Sequence, residues 1–152
     1  MATLRPDQVR ARIAATLEGL TLTTGTAGTL REAPCGYHGM PAELPDQRMH
    51  LAFGVAVTTT KGAPEQRQRQ SRPLRVESAV SVRLAHKRRT SDAVADEDAA
   101  LAAESEAIVA LVGTGGADGL QVTYQGTSRR EPIPEGIMIT IDLRATHLIA
   151  TA

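Results

Sequence analysis

Aromatic side chains are nearly missing from this chain of 152 residues, which has no Trp, one Phe and two Tyr. A core built from it must therefore be aliphatic and filled by Ala, Val, Leu and Ile. The shortage also argues against a surface on which nucleic-acid bases stack. At this length we expect one domain, residues 1–152, that is large enough to bury a substantial core.

Cysteine and net charge are equally scarce. A single cysteine, Cys35, excludes an internal disulfide framework and favours a reducing compartment. The 17 Lys and Arg residues balance the 17 Asp and Glu residues, whereas a free polyanion-binding protein is usually basic overall. A net charge of zero gives little protection against association, which is compatible with an assembled state.

Long apolar runs are missing as well. None approaches the roughly 20 residues that a membrane-spanning helix needs. The N-terminal residues Met1–Asp7 lack the apolar h-region of a secretory signal. We therefore expect a protein that acts where it is made and has no membrane partner.

The spacing of apolar residues predicts two helices. The first begins at Pro6, which suits the first helical position. Its apolar face is predicted to consist of Val9, Ile13, Leu17 and Leu20. The second begins after Ser91 or Asp92 as N-cap and ends at about Val112, before a run of glycines. Its apolar stripe is predicted to be Val94, Leu101, Ile108 and Leu111.

Four strands show period-2 alternation, at about 49–57, 76–84, 120–125 and 137–146. The first two should pair as an antiparallel hairpin, because no crossover element fits between them. Their connection, residues 61–72, is rich in Arg and Gln and should project from the domain. These elements predict an α+β fold: a mostly antiparallel four-stranded sheet with two helices packed on one face and a long projecting hairpin loop.

Residues 21–45 are rich in Thr, Gly and Pro and are predicted to be irregular. A loop of this length is uncommon inside a compact domain. Two interpretations stay open: the segment contains a short strand around Thr21–Thr24, or a partner orders it.

Few residues suggest a metal site or an active site. Cys35 and His38 are a thiol and an imidazole close in sequence, but zinc needs about four ligands. The other histidines, His50, His86 and His147, are interpreted as scattered surface or interface residues. No nucleophile motif is recognisable, and the glycines at 113–119 follow a helix, unlike those of a phosphate loop. We therefore expect no enzyme, no metal and no cofactor.

Charge is segregated along the chain. Residues 61–89 contain nine Lys or Arg and two Glu, whereas residues 90–128 contain seven Asp or Glu and no Lys or Arg. This pattern predicts that a basic surface of one subunit meets an acidic surface of a neighbour or partner. The residues predicted to form this interface are Arg67, Arg69, Arg72, Arg88, Arg89, Asp92, Asp96, Glu97 and Asp98. The alternatives are a solvated hairpin tip and transient contact with phosphates.

Four stretches of the chain carry a resemblance to a known family. They are residues 17–20 at the end of the first helix, 49–57 before the Arg-rich tip, 80–88 running into the acidic residues 96–104, and 122–130 with the closing strand through His147. Their layout resembles the tail terminator, or tail completion, proteins of long-tailed bacteriophages. The resemblance does not extend to residues 21–45.

The resemblance implies a structural virion protein, assembled in the host cytoplasm, that forms a homohexameric ring. Such a ring caps the head-proximal end of the tail tube, stops polymerisation of the tube protein and binds a neck or head-completion protein. DNA passes through its centre at ejection, and no active site is needed. Two other hypotheses are a neck or head-closure adaptor ring protein and a small nucleic-acid-binding domain that uses the basic hairpin.

Overall fold

Two helices and two β-sheets form the regular structure in the computed structural model, which describes residues 3–24, 28–33, 50–62, 73–114, 119–129 and 136–150. Helix α1 spans Pro6–Leu17 and helix α2 spans Ala93–Val112. The strands in chain order are β1 Thr21–Leu22, β2 Gly28–Thr29, β3 Arg31–Glu32, β4 Ala52–Gly62, β5 Leu74–Lys87, β6 Gln121–Arg129 and β7 Gly136–Ile149. Both predicted helices and all four predicted strands are confirmed.

The main sheet has five strands in the order β3-β4-β5-β7-β6. All its neighbours pair antiparallel except β3 and β4, which are parallel. The α+β class and the mostly antiparallel sheet are therefore confirmed, whereas the predicted count of four strands is wrong. The additional strand β3 has two residues, too few to show the alternation by which a strand is recognised. The short strand expected near Thr21–Thr24 is β1, which pairs with β2.

Strands β4 and β5 form the antiparallel hairpin that the sequence predicts. Phe53 lies opposite Leu84, and Val57 lies opposite Val80. The register then shifts between Val57 and Thr59, which marks a β-bulge. Of the predicted projecting loop at 61–72, the structure describes only the first two residues, which end β4. The rest lies outside the described residues.

Both helices pack on one face of the main sheet and share one core with it. Because side chains alternate along a strand, every second residue of β5 and β7 faces the helices. These inward residues include Val80, Val82, Leu84, Ile137, Ile139, Ile141 and Leu143. Helix α1 adds Val9, Ile13 and Leu17, and Leu20 packs beside them, so its predicted apolar face is confirmed. Phe53 is fully buried in this otherwise aliphatic core.

Helix α2 turns a different face to the core than its sequence pattern predicts. Its buried apolar residues are Ala99, Ala100, Ala103, Ala107 and Leu111. Of the predicted stripe, Leu111 is buried and Ile108 is partly buried, but Val94 is 67% exposed. The prediction is therefore wrong at the N-terminal end of the helix. Because alanine side chains are short, the helix backbone can lie close to the sheet, and bulkier side chains then lie on its outward face.

Candidate functional site: surfaces around helix α2

Two acidic side chains hold the loop between β5 and α2. Asp92 is the N-cap of α2, and its Oδ1 accepts hydrogen bonds from two backbone N–H groups of the first turn at 3.0 and 3.2 Å. Oδ1 of Asp96 accepts hydrogen bonds from the backbone N–H groups of Arg89 at 3.2 Å and Thr90 at 3.3 Å. Burial opposes ionisation of Asp96, but these N–H groups outweigh it and hold its pKa below the ordinary value.

Arg88 closes the same loop. Its guanidinium donates to the backbone carbonyl oxygens of Thr90 and Ser91 at 3.1 Å each, and its Nε lies 3.8 Å from Oδ2 of Asp96. The sequence assigns Arg88 and Asp96 to two unlike surfaces that meet between subunits, yet the structure joins them within one chain. These two side chains therefore have a structural role in the loop before α2.

The remaining predicted interface residues divide into two groups. Arg89, Glu97 and Asp98 are exposed at the N-terminal end of α2, so they are open to a partner. The basic residues Arg67, Arg69 and Arg72 lie outside the described residues. The predicted contact between the basic and acidic surfaces therefore stays a prediction. Among the acidic residues predicted for it, Glu97 and Asp98 are the two that the structure leaves available to a partner.

The other acidic residues of α2 bond to neighbouring elements. Oε2 of Glu104 accepts a hydrogen bond from Nη2 of Arg129 on β6 at 2.6 Å, which raises the pKa of Arg129. The carboxylate of Glu106 accepts hydrogen bonds from the side chain and backbone of Thr23 and from Thr24. These bonds lower the pKa of Glu106 to about 2. The two carboxylates therefore tie α2 to the edge strand β6 and to the residues that follow β1.

The outward face of α2 has exposed valines near both of its ends. Val94, Val109 and Val112 are 67%, 74% and 46% exposed. Tyr124 on the neighbouring strand β6 is 40% exposed, and within the described residues these four are all the large apolar side chains with high exposure. Glu97, Asp98 and Ser105 are also exposed on α2, so its outward side mixes apolar and polar residues.

Half-buried His50 and buried His86 are in contact beside the loop between β5 and α2. The rings of His50 and His86 are 4.8 Å apart and nearly perpendicular, and the backbone N–H of Lys87 donates to Nδ1 of His50 at 3.0 Å. Burial, reinforced by His86 and Arg89, lowers the pKa of His50 to about 4, and burial also lowers the pKa of His86. Both rings are therefore neutral near pH 7.

A cavity of about 50 Å³ lies between His86, Asp96 and Ile137. Nε2 of His86 is buried and has no hydrogen-bond partner among the described residues. His86 and His147 are each 1% exposed, so their interpretation as surface or interface histidines is wrong. The inward alternation of β5 and β7 extends to these two positions and places them in the core.

The hydroxyl of Ser78 and the imidazole of His147 are within hydrogen-bond distance, as a serine nucleophile and its histidine base are in an enzyme. Oγ of Ser78 lies 2.8 Å from Nε2 of His147, and Nδ1 of His147 donates to the carbonyl oxygen of Leu4 at 2.9 Å. Because the carbonyl can only accept, Nδ1 carries the proton and Nε2 accepts from Ser78. The two side chains are 0% and 1% exposed, so no substrate reaches them. The arrangement therefore fastens the N-terminal segment to the end of the sheet.

The face of the main sheet that points away from the helices is polar in its centre. It bears a groove of about 240 Å³ lined by residues of β4, β5, β6 and β7, among them Lys61, Glu77 and Arg144. Ser81 donates to Oδ1 of Asp142 across this face at 2.7 Å. Charges of both signs lie side by side in the lining of this groove.

Comparison with protein-family models and with curated proteins adds no relative to these observations. The sequence matches no protein-family model and no curated protein at a significant level. Within the described residues, no three His, Cys, Asp or Glu side chains are placed to hold a metal ion; Cys35 and His38 lie outside those residues. Neither helix in the described part of the chain combines the length and apolar character needed to cross a membrane.

Proposed function

We propose that this chain is a structural virion subunit that forms a ring on the head-proximal end of a bacteriophage tail tube. The ring ends polymerisation of the tube protein and joins the tail to a neck or head-completion protein, and DNA passes through it at ejection. The proposal starts from the resemblance of the layout to tail terminator proteins. The α+β fold with a mostly antiparallel sheet is the architecture that this resemblance implies.

The course of β4 carries the proposal. Residues 52–56 of this strand are buried, whereas residues 58–62 are all exposed, although side chains alternate between the two faces of a strand. The strand therefore leaves the core at about Val57 and continues, still paired with β5 as far as Gly62, as an arm of exposed residues. We infer that the Arg-rich residues 63–72 extend this arm and reach an adjoining subunit or the tube.

A ring of identical subunits needs two different contact surfaces on each copy, because every contact in a cyclic assembly joins one patch to another. The candidate surfaces are the basic residues of the arm and, once the carboxylates that bond within the chain are set aside, Glu97 and Asp98 at the start of α2. Complementary charge of this kind fixes the register of a contact and speeds association more than it adds affinity. We propose that these surfaces orient neighbouring copies in the ring.

Tube assembly in vitro tests this function. The purified chain is added to polymerising tail tube protein of the same virus, and tube lengths and tube ends are measured by negative-stain electron microscopy. We expect shorter tubes that bear a ring of six copies at one end. Tubes of unchanged length without rings contradict the proposal, and binding to the portal side in place of the tube supports the neck adaptor.

A control variant separates the arm from the rest of the fold. The arm variant Arg67→Glu/Arg69→Glu/Arg72→Glu should lose its effect on tube length, whereas Arg67→Lys/Arg69→Lys/Arg72→Lys keeps the charge and should retain part of it. Steep salt-dependent binding of DNA by the isolated chain, without any effect on tubes, favours the nucleic-acid-binding hypothesis instead.

A further inference from the structure

We propose that the cavity beside His86 is a hydration site, in which a water molecule joins Nε2 of His86 to the carboxylate of Asp96. The bridge connects the buried end of strand β5 to the first turns of helix α2. This site does not depend on the proposed ring, because it lies within a single copy of the chain.

The ring of His86 has an acceptor that no described residue satisfies. Burial lowers the pKa of His86 and keeps the ring neutral, whereas hydrogen bonds between the ring and backbone groups of residues 86 and 87 oppose this shift. A hydrogen bond raises the pKa of a base when the base donates it. Nε2 is buried and has no partner among the described residues, so Nδ1 is the donor and Nε2 carries the lone pair. A buried acceptor of this kind needs a donor.

Asp96 brings a second acceptor to the same cavity. The side chains of His86 and Asp96 both line the space of about 50 Å³, and no hydrogen bond joins Nε2 to the carboxylate. Backbone N–H groups of Arg89 and Thr90 hold the pKa of Asp96 below its ordinary value, so the group is ionised and can only accept. Two acceptors cannot bond to each other, and a molecule that bridges them must donate two hydrogen bonds.

Water meets both the chemical requirement and the size of the cavity. It has two O–H donors, and a polar cavity needs about 10–15 Å³ of comparable volume to hold one water molecule. The observed volume of about 50 Å³ is therefore sufficient. An ammonium ion can also donate twice, but it would place a positive charge beside the guanidinium of Arg88, which lines the same cavity and lies 3.8 Å from Asp96. Water brings no such charge.

The hydration site helps to fix where helix α2 begins. Arg88 and Asp96 close the loop between β5 and α2, and the water adds a contact from this loop to the core side of β5. A bridge through water is nearly as favourable in enthalpy as a direct hydrogen bond. Arg89 and Glu97 are exposed at the same end of α2, so the bridge positions a part of the surface that is open to a partner.

Nuclear magnetic resonance of the unmodified chain tests the site directly. Proton–nitrogen correlation spectra of the histidine rings should place the proton of neutral His86 on Nδ1 and show Nε2 as a hydrogen-bonded acceptor. Cross-relaxation with water should reach the ring protons of His86, equally in sodium chloride and in ammonium chloride. A proton on Nε2, the lack of cross-relaxation with water, or a response to ammonium chloride alone overturns the proposal.

A cavity-filling variant tests whether the water stabilises the fold. Ala93 lines the cavity, so Ala93→Leu displaces the water and leaves Nε2 of His86 without a donor. The equilibrium constant for unfolding should rise by about tenfold. Ala95→Leu is the matched control, because it makes the same change at an exposed position of the same helical turn. The control should change the constant by less than about twofold.

The background His86→Phe separates the loss of water from steric strain. Phe has no ring nitrogen, so Ala93→Leu should affect unfolding in this background no more than Ala95→Leu does. An effect of Ala93→Leu that is equal in both backgrounds assigns it to strain, and a stabilising effect in the unmodified chain indicates a dry void that the leucine fills. Either result overturns the proposal. If His86→Phe does not fold, the spectra of the unmodified chain decide alone.

Discussion

Ser78 donates its hydroxyl hydrogen to Nε2 of His147 across 2.8 Å, and both side chains are buried. Oγ of Ser78 also lies 2.8 Å from Oγ1 of Thr60, which therefore donates to it. The carbonyl of Leu4 completes the chain of bonds at Nδ1 of the imidazole. Three strands and the N-terminal segment thus meet at one satisfied polar network, in which Ser78 and His147 are buried and Thr60 is exposed.

Removal of the Ser78 hydroxyl tests this network. Ser78→Ala leaves Nε2 of His147 buried without a donor, which should lower the free energy of unfolding by about 1–3 kcal/mol. Ser81→Ala is the matched control, because Ser81 lies three residues further along β5 on the more open face and bonds to exposed Asp142. The control should change stability by less than about 0.5 kcal/mol. Equal effects in urea denaturation would contradict a special role for Ser78.

Stability should fall in mild acid because of the buried histidines. The pKa values of His50, His86 and His147 are all lowered, that of His50 to about 4 from 6.5. As the pH falls below 6.5, these histidines become protonated in the unfolded chain but stay neutral in the folded chain. The stabilisation is therefore complete above pH 6.5 and is lost as the pH falls below it; for His50 the loss extends to about pH 4, at up to about 1.4 kcal/mol per pH unit.

The variant His50→Asn isolates one of these groups. Asn does not titrate and its side-chain oxygen can still accept the hydrogen bond from Lys87 N–H. Urea midpoints measured at several pH values should therefore depend less on pH between 6.5 and 4 in the variant. A midpoint of the unmodified chain that stays constant over this range would show that the histidines titrate alike in the folded and the unfolded chain.

The sequence predicts the central part of the fold because long alternating strands leave a clear pattern. Strands β5 and β7 have 14 residues each, and their inward residues repeat without interruption. The same alternation, continued two residues beyond Leu84 and several beyond Leu143, places His86 and His147 inside. The alternation alone therefore predicts that both histidines are buried. The interpretation of histidines as surface residues gave these two positions the wrong environment.

Other features depend on distances that a linear pattern does not contain. Strand β3 is recognisable only beside β4, because two residues have no periodicity of their own. The core face of α2 depends on how closely the helix approaches the sheet, and alanine permits the close approach. The pairing of Arg88 with Asp96 depends on the turn between β5 and α2, whereas the segregation of charge around them is visible in the sequence.

The ion pair between α2 and β6 should contribute more than surface ion pairs do. Glu104 is 4% exposed, and its second oxygen has no partner among the described residues. Arg129→Ala removes the remaining partner and leaves a buried carboxylate unpaired, which should cost about 3 kcal/mol. Arg144→Ala is the control, because its Nε lies 3.9 Å from Glu77 in a more exposed pair and should cost about 0–1 kcal/mol.

Removal of the Glu104 charge in the Arg129→Ala background separates the effect of the unpaired charge from the effect of lost packing. The double variant Arg129→Ala/Glu104→Gln keeps the shape of the buried side chain and removes its charge. It should recover part of the loss that Arg129→Ala causes, as measured by urea denaturation. A double variant less stable than the single one would mean that Glu104 acts through another partner.

Asp96 and Asp98 are two residues apart on α2, but the structure gives them different roles. Asp96 accepts two backbone hydrogen bonds in the loop before the helix, so Asp96→Ala should lower the free energy of unfolding by about 1–2 kcal/mol. Asp98 is exposed near the start of α2, so Asp98→Ala should change stability by less than about 0.5 kcal/mol. Its effect should appear in self-association at low salt, where a lost counter-charge matters most. Suppose that Asp98→Ala is less stable than Asp96→Ala and self-associates as the unmodified chain does. The assignment of Asp96 to the loop and of Asp98 to the interface is then wrong, because the exposed carboxylate would be the one that stabilises the fold.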